Sequence, residues 1–208
     1  MAGGGKVSRP DKAAWDAKAL EGALCLWSNR RRIHSTLEMN VSDTLPPFGS
    51  LRTLPDGSFE GRLERTYAGH GRDALWRMLT DPAGIAQWIA PGSIELRPGG
   101  AVKIDFQDSG IVIESKVLEL DPGRVLAYSW SSGNEPARPL RWQLDEVPGG
   151  TRLTLTVHTP AGEDPAKACA GFEGHLEMLA GALEGVPIKF PFQLYVAARA
   201  AYNQQLGR

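Results

Sequence analysis

Catalysis needs side chains that can ligate a metal, attack or move a proton, and this chain holds few of them at useful spacings. Its histidines are His34, His70, His158 and His175, and no two stand four residues apart, so a helix-borne zinc site has no support. Cys25 and Cys169 form no CxxC pair. They read as reduced structural thiols of a cytoplasmic protein. HExxH, GxSxG and P-loop patterns are absent. No catalytic residue, metal site or cofactor is therefore assigned. One glycine pattern resembles a dinucleotide loop: Gly69-His70-Gly71-Arg72-Asp73-Ala74 fits GxGxxA, with Glu95 about 20 residues on. That reading requires a parallel strand and repeated strand–helix alternation. The hairpin-like punctuation downstream denies both, so a turn with a helix start is the simpler account.

Three polar side chains remain. Arg65 shares the apolar strand face of Leu63 and Tyr67. A cation there needs a partner. It is a structural ion pair, a snorkelling residue at the sheet edge, or an anchor for a ligand carboxylate or phosphate. His175 lies one residue from an apolar helical stripe and either flanks the helix or points into a cavity. Tyr128 could offer its hydroxyl to a ligand, as could the indole N–H groups of nearby tryptophans.

The elements that must position these groups are legible from turns and alternation. Phe59 to Tyr67 alternates as a strand, and short helices are expected over Asp73–Thr80 and Pro82–Trp88. Glycine-containing turns then separate Ser93–Leu96, Ala101–Phe106, Ile111–Leu120, Arg124–Trp130, Pro139–Glu146 and Thr151–Thr159. Turns this short join antiparallel neighbours, because a parallel crossover needs about a dozen residues or more. The spacing predicts one seven-stranded antiparallel meander. Val102, Ile104 and Phe106 share a side of their strand; Leu126, Tyr128 and Trp130 repeat the pattern, as do Leu140, Trp142 and Leu144. An apolar face this continuous must be covered. The expected cover is a helix over Pro165–Glu184, with Cys169, Phe172, Leu176, Leu179 and Leu183 at helical spacing.

Composition removes other classes. The 208 residues are 42% hydrophobic and 23% charged, a globular balance that excludes wholesale disorder. A net charge of -1 marks no nucleic-acid binder, and no apolar run approaches the ~18 residues of a membrane span. Residues 1–38 carry a net +3. Within them, a helix over Asp11 to Leu26 is expected to place Trp15, Ala19 and Leu20, then Leu24 and Trp27, roughly on one face. Three readings stay open: a basic amphipathic segment that touches a membrane, nucleic acid or partner; a helix packed on the main domain; or a natural start at Met39. At the other end, Gly185 and Pro187 should stop the long helix. A second helix after Pro191, with Leu194, Tyr195, Ala198, Tyr202 and Leu206 on one side, must pack either on its own domain or on a second molecule as a homodimer.

The order strand, two short helices, six strands and long helix resembles the helix-grip fold of the START, polyketide-cyclase and birch-pollen-allergen superfamily (SRPBCC). Local stretches resemble its AHSA-like branch, named for activators of the ninety-kilodalton heat-shock-protein ATPase. They are Leu75-Trp76 with Leu79-Thr80-Asp81-Pro82 and Trp88; the turn Leu96-Arg97-Pro98-Gly99-Gly100; Val117-Leu118-Glu119-Leu120-Asp121-Pro122 with Leu126-Ala127-Tyr128-Ser129-Trp130; and Gly149-Gly150-Thr151-Arg152-Leu153. Gly171-Phe172 stands where the family usually has Gly-Trp. The resemblance implies an α+β fold with an extension over 1–47, a domain over 48–186 and a C-terminal helical extension over 187–208. It implies a cavity between sheet and long helix for a small apolar or amphipathic molecule. The residues expected there are Arg65, Trp88, Phe106, Tyr128 and Trp130 from the sheet side and its loops. Trp142 joins them from the sheet, and Phe172, His175, Leu176 and Leu179 from the helix. Binding without catalysis is the leading expectation. A cyclase- or dehydratase-type enzyme would need Arg65, Tyr128 and His175 to converge. An ATPase-activator-like interaction domain is the third.

Overall fold

The computed structural model describes residues 47–107 and 109–208. The expected helix near Trp15 and Trp27, and the break at Met39, lie outside the described residues. Eight strands occur among the described residues: β1 (Ser50–Thr53), β2 (Phe59–Ala68), β3 (Gly92–Ile94), β4 (Ala101–Phe106), β5 (Ile111–Asp121), β6 (Val125–Ser129), β7 (Pro139–Val147) and β8 (Gly150–Thr159). They form one sheet in the order β1-β2-β8-β7-β6-β5-β4-β3. The meander from β3 to β8 thus runs between neighbours, and β2 closes it by pairing antiparallel with β8, Leu63 opposite Leu155 and Arg65 opposite Leu153. Gly149 carries the β7–β8 turn at φ +81°, a conformation that side chains resist.

The expected α+β architecture is present, with one strand more than the seven expected. The additional strand, β1, is a short, mostly exposed edge of sequence Ser-Leu-Arg-Thr. Four residues with one apolar side chain leave almost no alternation to read. A second difference concerns the helices. After α1 (Arg72–Thr80), α2 spans only Pro82–Ile85 and gives way to turns before Trp88. Trp88 is held instead through its indole, which donates to the Met78 carbonyl at 2.9 Å.

The inner face of the sheet is apolar, as its alternation requires: Leu63, Tyr67, Ile104, Val117, Leu126, Leu140, Leu144 and Leu155 are buried. Over it lies α3 (Pro165–Leu183), opened by the Asp164 carboxylate, which accepts from the Lys167 N–H at 3.2 Å. The helix approaches β2 closely, and a Cβ at Gly61 would collide with Cys169 Sγ. Beyond Gly185 the chain runs back over α3 as a strap, residues 186–191, and then forms α4 (Phe192–Gln205). The strap rests on two helix glycines: a Cβ at Gly174 would lie 2.6 Å from the Phe190 ring, and one at Gly181 would lie 2.8 Å from the Val186 carbonyl oxygen. In α4, Leu194, Ala198 and Tyr202 are buried at four-residue spacing. Gln205 finishes the attachment: its side chain accepts from Leu51 N–H at 2.8 Å and donates to the Gly49 carbonyl at 3.0 Å.

Gly174→Ala should therefore lift Phe190 from the helix. A loss of about 1–3 kcal/mol of stability is expected from overpacking, read as a lower urea midpoint. An unchanged midpoint would mean that the strap is not seated there.

Candidate functional site

Between the sheet and α3 the side chains form an aromatic chain. Trp88 meets Trp142 edge-on, with centroids 5.7 Å apart at 87°. Trp142 meets Phe172 at 6.1 Å and 78°, and Phe172 meets Trp130 at 5.4 Å and 71°. Edge-to-face contacts of this kind match the positive rim of one ring to the negative face of the next. The series continues outward through His175, 6.1 Å from Phe172 and 5.5 Å from Phe190.

Of the ten expected site residues, Trp88, Tyr128, Trp142, Phe172, Leu176 and Leu179 are buried in this interior. Trp130 and His175 are half-buried members of the aromatic chain, and Phe106 is half-buried at the end of β4. Arg65 goes elsewhere. Its guanidinium pairs with Glu173 on α3 and donates to the Glu64 carbonyl at 2.7 Å. The Glu173 carboxylate is fully buried and also accepts from Gly49 N–H at 3.0 Å and from the Tyr202 hydroxyl. Burial and the neighbouring carboxylate push the Tyr202 phenol far above its ordinary range. Glu173 was not picked out from the sequence. Its signal was there, four residues after Cys169 and three before Leu176, inside the buried stripe.

His175 holds one proton in place. Its Nδ1 faces the Trp88 carbonyl at 3.2 Å, so Nδ1–H donates there and Nε2 keeps its lone pair. Burial pushes its pKa down to about 4. The ring is therefore neutral near pH 7. Burial also pushes the Cys169 thiol up to about 12, so no thiolate nucleophile forms there. On the sheet, Tyr128 is buried and its phenol pKa is raised by desolvation, an effect that a hydrogen bond from the Trp142 indole partly offsets. One inward polar atom, Ser115 Oγ, has no partner among the described residues. Ser115 interrupts the inward apolar run Ile113–Val117 of β5 and was also passed over in the sequence.

None of the ten expected residues lines either of two surface concavities on the described residues. One involves Gly57, Phe59, Gly162 and Arg208. The other holds the GxGxxA loop, Gly69 to Arg72, against Glu146 to Thr151. There His70 pairs with Glu184 at 2.8 Å, and Arg72 lies 3.8 Å from Glu146. The preceding strand is antiparallel to its partner, which removes the dinucleotide reading. Among the described residues no three His, Cys, Asp or Glu side chains gather as metal ligands, and no helix is long and apolar enough to cross a membrane.

The family described as activator of Hsp90 ATPase homolog 1-like protein matches residues 70–184. The chain belongs to this family. Solved structures agree on the AHSA-like helix-grip fold. CalU16 from Micromonospora echinospora is 23% identical, with a TM-score of 0.64 over 77% of this chain and 98% of that one. The protein encoded by BPP1335 of Bordetella parapertussis is 28% identical, with a TM-score of 0.55 over 76% of this chain and 91% of that one. DynU16, from the dynemicin biosynthetic locus, is 29% identical, with a TM-score of 0.55 over 64% of this chain and 49% of that one. No curated protein matches the sequence. The AHSA-like match contains Glu173 but none of Arg65, Gly49 and Tyr202, its three partners.

Two outcomes follow from this geometry. Arg65→Met or Glu173→Leu alone should cost about 3–5 kcal/mol, because each strands a buried charge. The double substitution should cost clearly less than the sum; additive losses in urea denaturation would show that the pair does not couple. The second concerns His175. Its folded pKa of about 4 lies below the ordinary 6.5, so between these values the unfolded chain binds the proton that the folded chain refuses. This stability is fully present above pH 6.5 and is lost as pH falls towards 4. His175→Gln should flatten the fall by up to about 1.4 kcal/mol per pH unit. Parallel pH–stability curves for the two proteins would rule out a buried neutral imidazole.

Proposed function

We propose that this protein binds a small apolar or amphipathic molecule between its sheet and α3. The observation that carries the reading is the aromatic chain Trp88–Trp142–Phe172–Trp130, whose edge-to-face steps wall the interior on both the sheet and the helix side. Walls of rigid rings with a few inward polar groups suit a small flat molecule. The likeness to DynU16, from the dynemicin biosynthetic locus, supports the same reading. Acid–base catalysis finds less support. Arg65 is engaged by Glu173, His175 by the Trp88 carbonyl, and Tyr128 stands by Trp142, so the three polar candidates share no common point. Cys169 is a free, buried thiol, in keeping with a reducing, cytoplasmic setting.

Native mass spectrometry of the full chain, purified without unfolding, tests the reading. A retained small molecule that leaves on denaturation is expected. A bare chain that no apolar compound stabilises against heat would overturn it.

A further inference from the structure

We propose that this chain forms a two-fold homodimer through the outward side of its C-terminal segment, with the strap and the outer face of α4 of one copy laid against the same surfaces of the other. The dimer does not depend on the binding reading above.

The first argument is where apolar area is left in water. Seven large apolar side chains are exposed among the described residues, and five of them fall between positions 186 and 196: Val186, Ile188, Phe190, Phe192 and Val196. They form one surface. The Phe190 and Phe192 rings both meet Tyr195, at 6.0 and 5.9 Å, and Val196 stands one helical turn after Phe192. Val186 is 65% exposed, and the other four lie between 36% and 47%. Together they leave on the order of 400 Å² of apolar surface in water, a size at which a patch marks a function rather than scatter. A standard interface buries about 800 Å² on each side, with a core about two-thirds apolar. The patch provides most of such a core, and the exposed Gln193 and Gln204 provide rim. It is not the stripe by which α4 holds its own domain. Leu194, Ala198 and Tyr202 are buried there, whereas Phe192, Val196 and Ala200 turn outward on another side of the helix.

The second argument selects the occupant by charge. A two-fold contact sets a surface against its own copy, so a charge near the axis meets its like. Residues 186–205 contain no acid and two cations, Lys189 and Arg199. Arg199 is turned to Asp164 at 2.9 Å. Lys189 is the charge left on the strap, and the exposed Glu177 stands on α3 three residues beyond Gly174, where the strap is seated. The face can therefore meet itself without repulsion, with Lys189 of one copy set off the axis towards Glu177 of the other. A lipid surface draws on several cations, and a charged partner needs a charged face; neither is present. Pro187 and Pro191 close strand pairing to the strap, so the contact is one of side chains.

Sedimentation velocity of the full chain, together with hydrogen exchange, tests the proposal. The dimer should become populated as concentration rises from about 2 to about 200 µM, and amides over residues 186–204 should exchange more slowly at the higher concentration. Sodium chloride at about 1 M should leave it intact, because its core is apolar. Phe192→Glu with Val196→Glu should raise the dissociation constant at least about a hundredfold. Both side chains are exposed, so the dilute variant should keep the circular dichroism and melting temperature of the unaltered chain. Should it fail to fold, Val186→Lys carries the same test at the most exposed position of the patch. A full chain that stays monomeric at about 200 µM would overturn the proposal, as would a dimer that survives the substitutions or dissociates in salt. Protection of 186–204 that does not change with concentration would overturn it too, since the surface would then be bare or covered by another segment of the same chain.

Discussion

The carboxylate of Glu173 is the constraint on which the rest of this structure is arranged. It is fully buried on α3 and accepts from three separate stretches of chain: Arg65 on β2, the Gly49 N–H just before β1, and the Tyr202 hydroxyl on α4. A charge taken out of water is tolerated only when its lone pairs are met. The helix of the family domain therefore presents a demand that only its flanks can meet. The edge strand and the last helix are tied to one point, and Gln205 joins them directly through Gly49 and Leu51. An extension that would be too short to hold a helix alone becomes part of one cooperative unit.

The same interaction shapes the interior as a binding region. By holding Arg65 at one side, it removes the single cation that the apolar face would otherwise offer. What stays behind is aromatic and neutral, with tryptophan donors turned to different partners. Trp88 donates to the Met78 carbonyl, whereas Trp142 meets the Tyr128 side chain. Two indoles in edge contact, one bonded to backbone and one to a phenol, give the interior a polarity that composition alone would not suggest.

Much of the fold was readable before any coordinates, for a simple reason. Period-two alternation and glycine turns are local signals, and the strands from Phe59 to Thr159 carry both. β1 carries neither, since its place is set by Gly49, Gln205 and the edge of β2 rather than by its own pattern. The α2 segment read too long because Trp88 continues an apolar spacing that the backbone abandons after Ile85. In the site, the aromatic residues were legible as inward positions. Arg65 stood out as a charge on the wrong face, but its partner did not. Glu173 sits in a helical stripe where an acid reads as a flank, and its role depends on residues far away in sequence. Ser115 was invisible for the opposite reason: a small hydroxyl within an alternating strand looks ordinary until its neighbours prove unable to bond it.

The strap between α3 and α4 has a different consequence. It exposes Val186, Ile188 and Phe190, an apolar run that in extended form would invite pairing with another chain. Pro187 interrupts it and Pro191 ends it, each without an N–H to give, and Lys189 places a charge between Ile188 and Phe190. No uninterrupted ladder can grow along such a segment. The chain can thus keep an apolar surface there without offering a template for aggregation, and both prolines guard solubility as much as they end or begin helices.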